Sequence, residues 1–211
     1  MIQVRVMRME ETEEPSGAAR RVLYSALKEE GVISETEIQV EKDEKGKPCL
    51  KDYPDIFISI SHSGPYVACA FGDKPVGVDI EMWKEHRQWR RIVDKLHPRE
   101  REWIHSFCDG EITEKTKEPV QAFCDLWVRK ESFLKAIGEG LRVPLGVFDT
   151  VGTAVEQQLR PEDYQVKNYR IPGEKVSVAV CAQAGEPPQE IEIRYKNQRL
   201  FAGSFPEPLV K

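Results

Sequence analysis

Three stretches of this 211-residue sequence put chemically capable side chains where a fold would otherwise ask for apolar ones. In the first, Val76, Val78 and Ile80 alternate with Gly77, Asp79 and Glu81. A strand here turns the aliphatic residues one way and both carboxylates the other. Like charges so close need either water or a cation, so a solvated strand face and a cation site both fit. In the second, an apolar helical stripe runs through Phe123, Leu126/Trp127, Leu134 and Ile137/Gly138. Its missing step is filled by Lys130 and Glu131, a charged pair on a line that should face the core and must be compensated there. Glu131 and Lys135 are one turn apart and project side by side. A structural ion pair with a snorkelling lysine accounts for this, and so does a metal-binding carboxylate beside a phosphate-binding lysine; Trp127 alone reads as core. In the third, Ser59, Ser61, His62 and Ser63 crowd the end of a strand before Gly64. Hydroxyls and an imidazole clustered there suit hydrogen bonding to an oxyanion, although a histidine at a strand end also serves as a surface or capping residue. No nucleophile elbow accompanies them, and the common phosphate-binding glycine loops are missing from the sequence.

These residues need elements to hold them. Residues 17–30 have helical spacing, with Ser16 as expected N-cap and Gly31 as the stop. Residues 42–55 read as polar and turn-rich, centred on Gly46, Lys47 and Pro48. Three strands are expected at 56–60, 66–71 and 76–81, with Gly64–Pro65 and 72–75 as turns. Helices are expected at 87–96, from Pro98 onward, and at 119–137, the last ending in Gly138-Glu139-Gly140. The polar stretch 109–119 reads as an exposed loop. Strands follow at 164–171, 176–182 and 190–195. The mixture, without strict alternation of strand and helix, predicts an α+β fold.

Composition narrows the classes. Lys and Arg number 31 against 36 Asp and Glu, a net charge of −5, which argues against a general nucleic-acid binder. With 40% hydrophobic and 32% charged residues the chain is expected to be globular rather than disordered. The first 17 residues carry four glutamates and no apolar leader, and no apolar run is long enough to span a membrane. Five cysteines without C-x-x-C spacing oppose a disulfide framework and a structural zinc site. The expected location is the cytoplasm, with no membrane partner.

Taken in order, Gly46-Lys47-Pro48, residues 57–63, Gly77 to Glu81, and residues 127–141 resemble the 4′-phosphopantetheinyl transferases, in their larger, Sfp-like class. The G-V-D-I-E and W-x-x-K-E-S-x-x-K-A-x-G-x-G-L signatures carry the resemblance, which covers about residues 16–195. It implies a pseudo-twofold pair of similar α+β halves with the active site at their junction: residues 1–76, residues 77–200, and a tail from 201 to 211. It also implies transfer of the phosphopantetheine arm of coenzyme A to a serine of an apo acyl or peptidyl carrier protein, releasing adenosine 3′,5′-bisphosphate. Carried over by position, Asp79, Glu81 and Glu131 would hold Mg²⁺, with Mn²⁺ as a substitute. Lys135 and His62, with Ser61, would contact coenzyme A phosphates, and Lys47 would lie by the 3′-phosphoadenosine end. Glu131 could take the serine proton, directly or through water. The family's upstream basic residues have no clear counterpart, which leaves Arg20, Arg21 or Lys42 for the 3′-phosphate. The 109–119 segment lies where the family meets its carrier. With two halves in one chain, a monomer completes the site. Two other readings use the same residues: a Mg²⁺-dependent phosphodiesterase or nucleotide hydrolase, and a non-catalytic coenzyme-A-binding module.

Overall fold

The computed structural model describes residues 2–10, 13–34, 38–83, 89–107, 117–183, 187, 190–195 and 198–205. Their order is β1 (Gln3–Arg8), α1 (Pro15–Glu29), β2 (Val40–Lys42), β3 (Pro48–Leu50), β4 (Phe57–Ser63), β5 (Tyr66–Gly72), β6 (Val76–Met82), α2 (Trp89–Val93), α3 (Pro98–His105), α4 (Lys117–Ile137), β7 (Tyr164–Arg170), β8 (Val176–Gln183), β9 (Glu190–Tyr195) and β10 (Gln198–Phe205). The strands run in the order β2-β3-β4-β5-β1-β9-β10-β7-β8-β6. Neighbouring pairs are antiparallel except β1 and β9, which are parallel. Mixed helices and strands bear out the α+β expectation at that level. No helix of the described residues is long and apolar enough to cross a membrane.

Two helices cover the sheet at different places. The buried stripe of α1, Ala19, Val22, Leu23, Ala26 and Leu27, packs on Ile58, Val67, Cys69 and Phe71 of β4 and β5. On α4 the inner residues Val128, Phe133, Leu134 and Ile137 pack on Val166, Ala179 and Cys181 of β7 and β8. A third core lies between these layers. It is built by Val4 and Val6, Ala68 and Ala70, Val76, Val78 and Ile80, and Val176, Val178 and Val180. The alternation of β6 read from the sequence therefore holds: its even residues enter this core and its odd residues face α4.

β6 and β4 meet through side chains instead of a ladder. Ser59 Oγ accepts from Val78 N at 3.0 Å and Ser63 Oγ accepts from Met82 N at 3.1 Å, while Ser61 Oγ donates to Asp79 Oδ1 at 2.6 Å. Two buried hydroxyls, those of Ser59 and Ser63, thus satisfy an otherwise open strand edge, and the third binds the Asp79 side chain.

Several expectations need correction. The N-cap of α1 is Glu14, not Ser16; its carboxylate accepts from Gly17 N at 2.8 Å. Pro15 takes the first helical position, where its fixed φ suits the helix and its missing N–H is no loss. β1, β2, β3 and β10 were not anticipated, and 201–205 is strand instead of tail. Residues 206–211 lie outside the described residues, as do residues 109–116 of the expected loop, whose last residues already belong to α4.

α4 is held to β6 at backbone distance. A Cβ on Gly77 would stand 1.9 Å from Ser132 O and 2.6 Å from Ala136 N. Gly77→Ala should force the helix off the strand, costing about 1–3 kcal/mol as overpacking does. For a chain of this size that lowers Tm by roughly 2–12 °C in a thermal melt. An unchanged Tm would show that the helix has room to shift.

Candidate active site

Because α4 lies on β6, the two rises set what meets what. Two strand residues advance about 6.6 Å, the length of about four helix residues. Gly77 lies against Ser132 and Ala136, Asp79 falls level with Glu131 and Lys135, and Glu81 falls near Cys124. Lys135 Nζ donates to Asp79 Oδ1 at 2.6 Å and to Val78 O at 3.2 Å. Asp79 Oδ1 therefore accepts from a lysine on α4 and from Ser61 on β4. Glu131 is treated differently. Its Oε1 is buried, and among the described residues no donor reaches it. Burial, followed by the neighbouring Asp79 charge, pushes the Glu131 carboxyl up to about 7, with Lys135 acting against both. Glu81 is half-buried one step further along, and its charge adds to the burial that pushes the Cys124 thiol up to about 12.

Lys130, the other half of the charged step, has a different fate. It is completely buried, and Nζ donates to Glu100 Oε1 at 2.7 Å, Oε2 at 2.6 Å and Phe148 O at 2.9 Å. Glu100, also completely buried, accepts in addition from Thr150 N, Thr150 Oγ1 and His97 N. A fully satisfied buried pair of this kind fixes the roll of α4 and points Glu131 and Lys135 at β6. Sequence reasoning missed Glu100. Its position three residues after His97 at a Pro-initiated helix signals a capping box, but nothing local ties it to a lysine thirty residues on.

The other candidates are placed as follows. Lys47 sits at the β2–β3 turn with its stem across Gly138, and Nζ donates to Ala136 O at the end of α4 at 2.7 Å. The imidazole and the hydroxyls at the end of β4 do not form one cluster. Strand alternation sends the three serines toward β6 and turns His62, exposed, to the side of α1, where its charge is felt by Glu14. Arg20 and Arg21 are exposed on α1, Arg21 paired with Glu13 at 2.5 Å, and Lys42 is exposed on β2. Trp127 is partly buried and stacks on Phe123.

Among the described residues no three His, Cys, Asp or Glu side chains are drawn together as a metal cage. The donor set still fits a hard cation. Two carboxylates act on each other across the helix–strand contact, one with an oxygen that no donor among the described residues satisfies, and oxygen ligands are what such ions take. The arrangement brings together acidic groups, a lysine and a second lysine on the adjoining turn.

A family model described as the 4′-phosphopantetheinyl transferase superfamily matches residues 75–181, from the start of β6 into β8. The chain is 32% identical over 177 residues to 4′-phosphopantetheinyl transferase Sfp of Bacillus subtilis (strain 168), covering 81% of this chain and 74% of that one. It is 37% identical over 117 residues to 4′-phosphopantetheinyl transferase gsp of Aneurinibacillus migulanus, covering 55% and 45%. Over 139 residues it is 34% identical to the L-aminoadipate-semialdehyde dehydrogenase-phosphopantetheinyl transferase of Mus musculus, covering 59% and 42%. The chain belongs to the 4′-phosphopantetheinyl transferase superfamily and is an enzyme of that class.

Lys47 gives this site a pH signature. Burial lowers its ammonium from an ordinary 10.5 to about 8, with Asp43 acting in the opposite direction. The unfolded chain therefore holds this proton to higher pH than the folded one, and the Lys47 contribution to stability rises between about pH 8 and 10.5, by at most about 3 kcal/mol. The buried Cys124, Cys181 and Tyr164 side chains act the other way at the upper end of that window, so the readout is the difference between two proteins: in denaturant unfolding the wild type should gain stability relative to Lys47→Met as pH rises. Parallel curves for the two would place the Lys47 ammonium in water.

Proposed function

We propose that this chain transfers the 4′-phosphopantetheine arm of coenzyme A to a serine of an apo acyl or peptidyl carrier protein and releases adenosine 3′,5′-bisphosphate. The observation that carries the reading is the facing of Asp79 and Glu131 with Lys135 beside them, where one carboxylate oxygen has no donor. The carrier serine oxygen bonds to the phosphorus that bears the pantetheine arm. The anhydride P–O bond breaks, and the electron pair leaves with the nucleotide. The hydroxyl proton goes to Glu131 Oε1, directly or through water. Lys135, free to exchange Asp79 for a phosphate oxygen, offsets the negative charge of the pyrophosphate. Ser61 keeps Asp79 oriented while that exchange occurs. Asp79, Glu81 and Glu131 would hold Mg²⁺, or Mn²⁺ in its place; when bound, the ion neutralises charge on the transferred phosphoryl group.

For coenzyme A itself, Lys47 is assigned to the 3′-phosphoadenosine end. His62 and the basic side chains Arg20, Arg21 and Lys42 are the further phosphate contacts available in the N-terminal half. The two halves, 1–76 and 77–200, are read as a pseudo-twofold pair acting as a monomer in the cytoplasm. Support for that pairing comes from each half laying one long helix on antiparallel strands, α1 on β4 and β5, α4 on β6 and β8.

Intact-mass measurement of an apo carrier protein incubated with the enzyme, coenzyme A and Mg²⁺ should show one added phosphopantetheine. Asp79→Ala or excess chelator should abolish the addition, with the far-UV circular dichroism of the variant unchanged. Coenzyme A breakdown without a carrier would point to a hydrolase, and full activity in Asp79→Ala would remove the site. For Lys47→Met the expected result is a KM for coenzyme A about tenfold higher or more, the cost of a charge-assisted hydrogen bond. The penalty should shrink with dephospho-coenzyme A. Equal penalties for both substrates would move Lys47 away from the 3′-phosphate.

A further inference from the structure

Lys47 stands on a turn with a slight hold on the sheet. β2 and β3 are three residues each, and β3 meets β4 in register at Cys49 and Phe57. Internally the turn is tightly bonded. Asp43 Oδ1 accepts from Lys45 N at 2.9 Å and Lys47 N at 2.8 Å. Gly46 N bonds Asp43 O, and Asp43 N bonds Lys47 O, both at 2.9 Å. Lys45 and Lys47 therefore move as one unit, and whatever fixes Lys45 places Lys47.

Glu139 does the fixing. Its Oε1 holds Lys45 Nζ at 2.5 Å and also takes the Arg160 guanidinium from the opposite side. Arg142 Nη1 adds a bond to Lys45 O at 3.2 Å. Lys45 comes from the N-terminal half, whereas Glu139, Arg142 and Arg160 come from the other. We propose that Glu139 is a positioning residue for Lys47, clasping the β2–β3 turn to the end of α4 so that Lys47 Nζ is presented to coenzyme A. An isolated exposed ion pair contributes little. Here one carboxylate shared by two cations anchors a turn that is already rigid, so losing it releases the whole turn. The proposal rests on the assignment of Lys47 to coenzyme A, and its test separates the two.

Amide hydrogen exchange over residues 43–50 reads the clasp, and steady-state kinetics read its consequence. In Glu139→Gln, exchange across 43–50 should accelerate. KM for coenzyme A should rise about two- to fivefold, the range of an exposed ion pair, with kcat unchanged. In a Lys47→Met background the same substitution should add nothing to KM, whereas a merely structural role would carry its penalty into both backgrounds. Lys45→Met removes the pair from its other end and should reproduce the result without adding to it, which covers a Glu139→Gln variant that folds poorly. Unchanged exchange over 43–50, or an equal KM penalty in the Lys47→Met background, overturns the proposal. If Lys47→Met itself leaves KM unaltered while Glu139→Gln still speeds exchange, the clasp stands and the coenzyme A assignment of Lys47 falls.

Discussion

The contact on which the rest of this structure depends is the absence of a side chain at Gly77. β6 and α4 touch backbone to backbone there, closer than any Cβ allows, and this contact sets the height of the helix above the sheet. At that height Lys135 reaches both Asp79 and the Val78 carbonyl, and Glu131 Oε1 is pressed into a place that no donor of the described residues reaches. A helix seated one side-chain layer higher would leave the same residues facing water. Two further anchors keep α4 from rolling on this pivot. Lys130 is held in the Glu100–Phe148–Thr150 nest, and Arg129 donates to Thr150 O and Gly152 O and to Asn168 Oδ1 at 2.6 Å. Burial acts against the Lys130 ammonium and the bonded Glu100 carboxylate offsets it; removing Glu100 alone would leave a buried cation without its bonded partner.

The joint between β4 and β6 is polar for a related reason. β6 is the last strand of its sheet, with backbone donors facing β4, and another backbone strand would close that edge completely. Serine hydroxyls close it instead, through Ser59 and Ser63, while the third, Ser61, is turned to the Asp79 carboxylate. The S-x-S-x-S pattern thus serves the architecture at its two ends and the candidate site in the middle. β9 and β10 join β1 to β7 a second way, since β9 runs parallel to β1 while β10 pairs with β7. Buried Arg5 on β1 pins that crossing through Glu192 at 3.1 Å and Glu30 at 2.5 Å.

What the sequence revealed follows from how local each signal is. β4–β8 and α4 have periodicities long enough to be seen in one window, and the charged step at 130 and 131 stands out because it breaks one. Asp79, Glu131 and Lys135 were visible for that reason. β1 was not. Six residues with arginines at positions 5 and 8 look polar until a strand from the far end of the chain lies beside them. β2, β3 and β10 are short or borrow their order from neighbours. The 59–64 cluster misled because proximity along a strand is not proximity in space: adjacent residues face opposite ways, so His62 and Ser61 serve different surfaces. Glu100 and Glu139 were hidden differently. Each is an ordinary glutamate until the fold brings a lysine to it from thirty or ninety residues away.

Charge at the centre of the site is unbalanced in a way that the surrounding network is not. Around Lys130 each carboxylate has its own cation: Glu100 is bonded by Lys130, and nearby Asp149 is paired with Arg99 at 2.9 Å. Around Lys135 one cation serves Asp79, and Glu131 close by brings a second negative charge without a second positive one. A structural ion-pair cluster under selection for stability alone would replace one of these carboxylates with a neutral or apolar residue, as the cost of an unpaired buried charge is large. Retaining both leaves a surplus of negative charge beside Lys135, where α4 meets β6. Such a surplus suits a ligand that brings positive and negative charge together, a phosphorylated substrate accompanied by a hard cation. The imbalance, more than any single residue type, separates this pair of carboxylates from the structural pairs elsewhere in the chain.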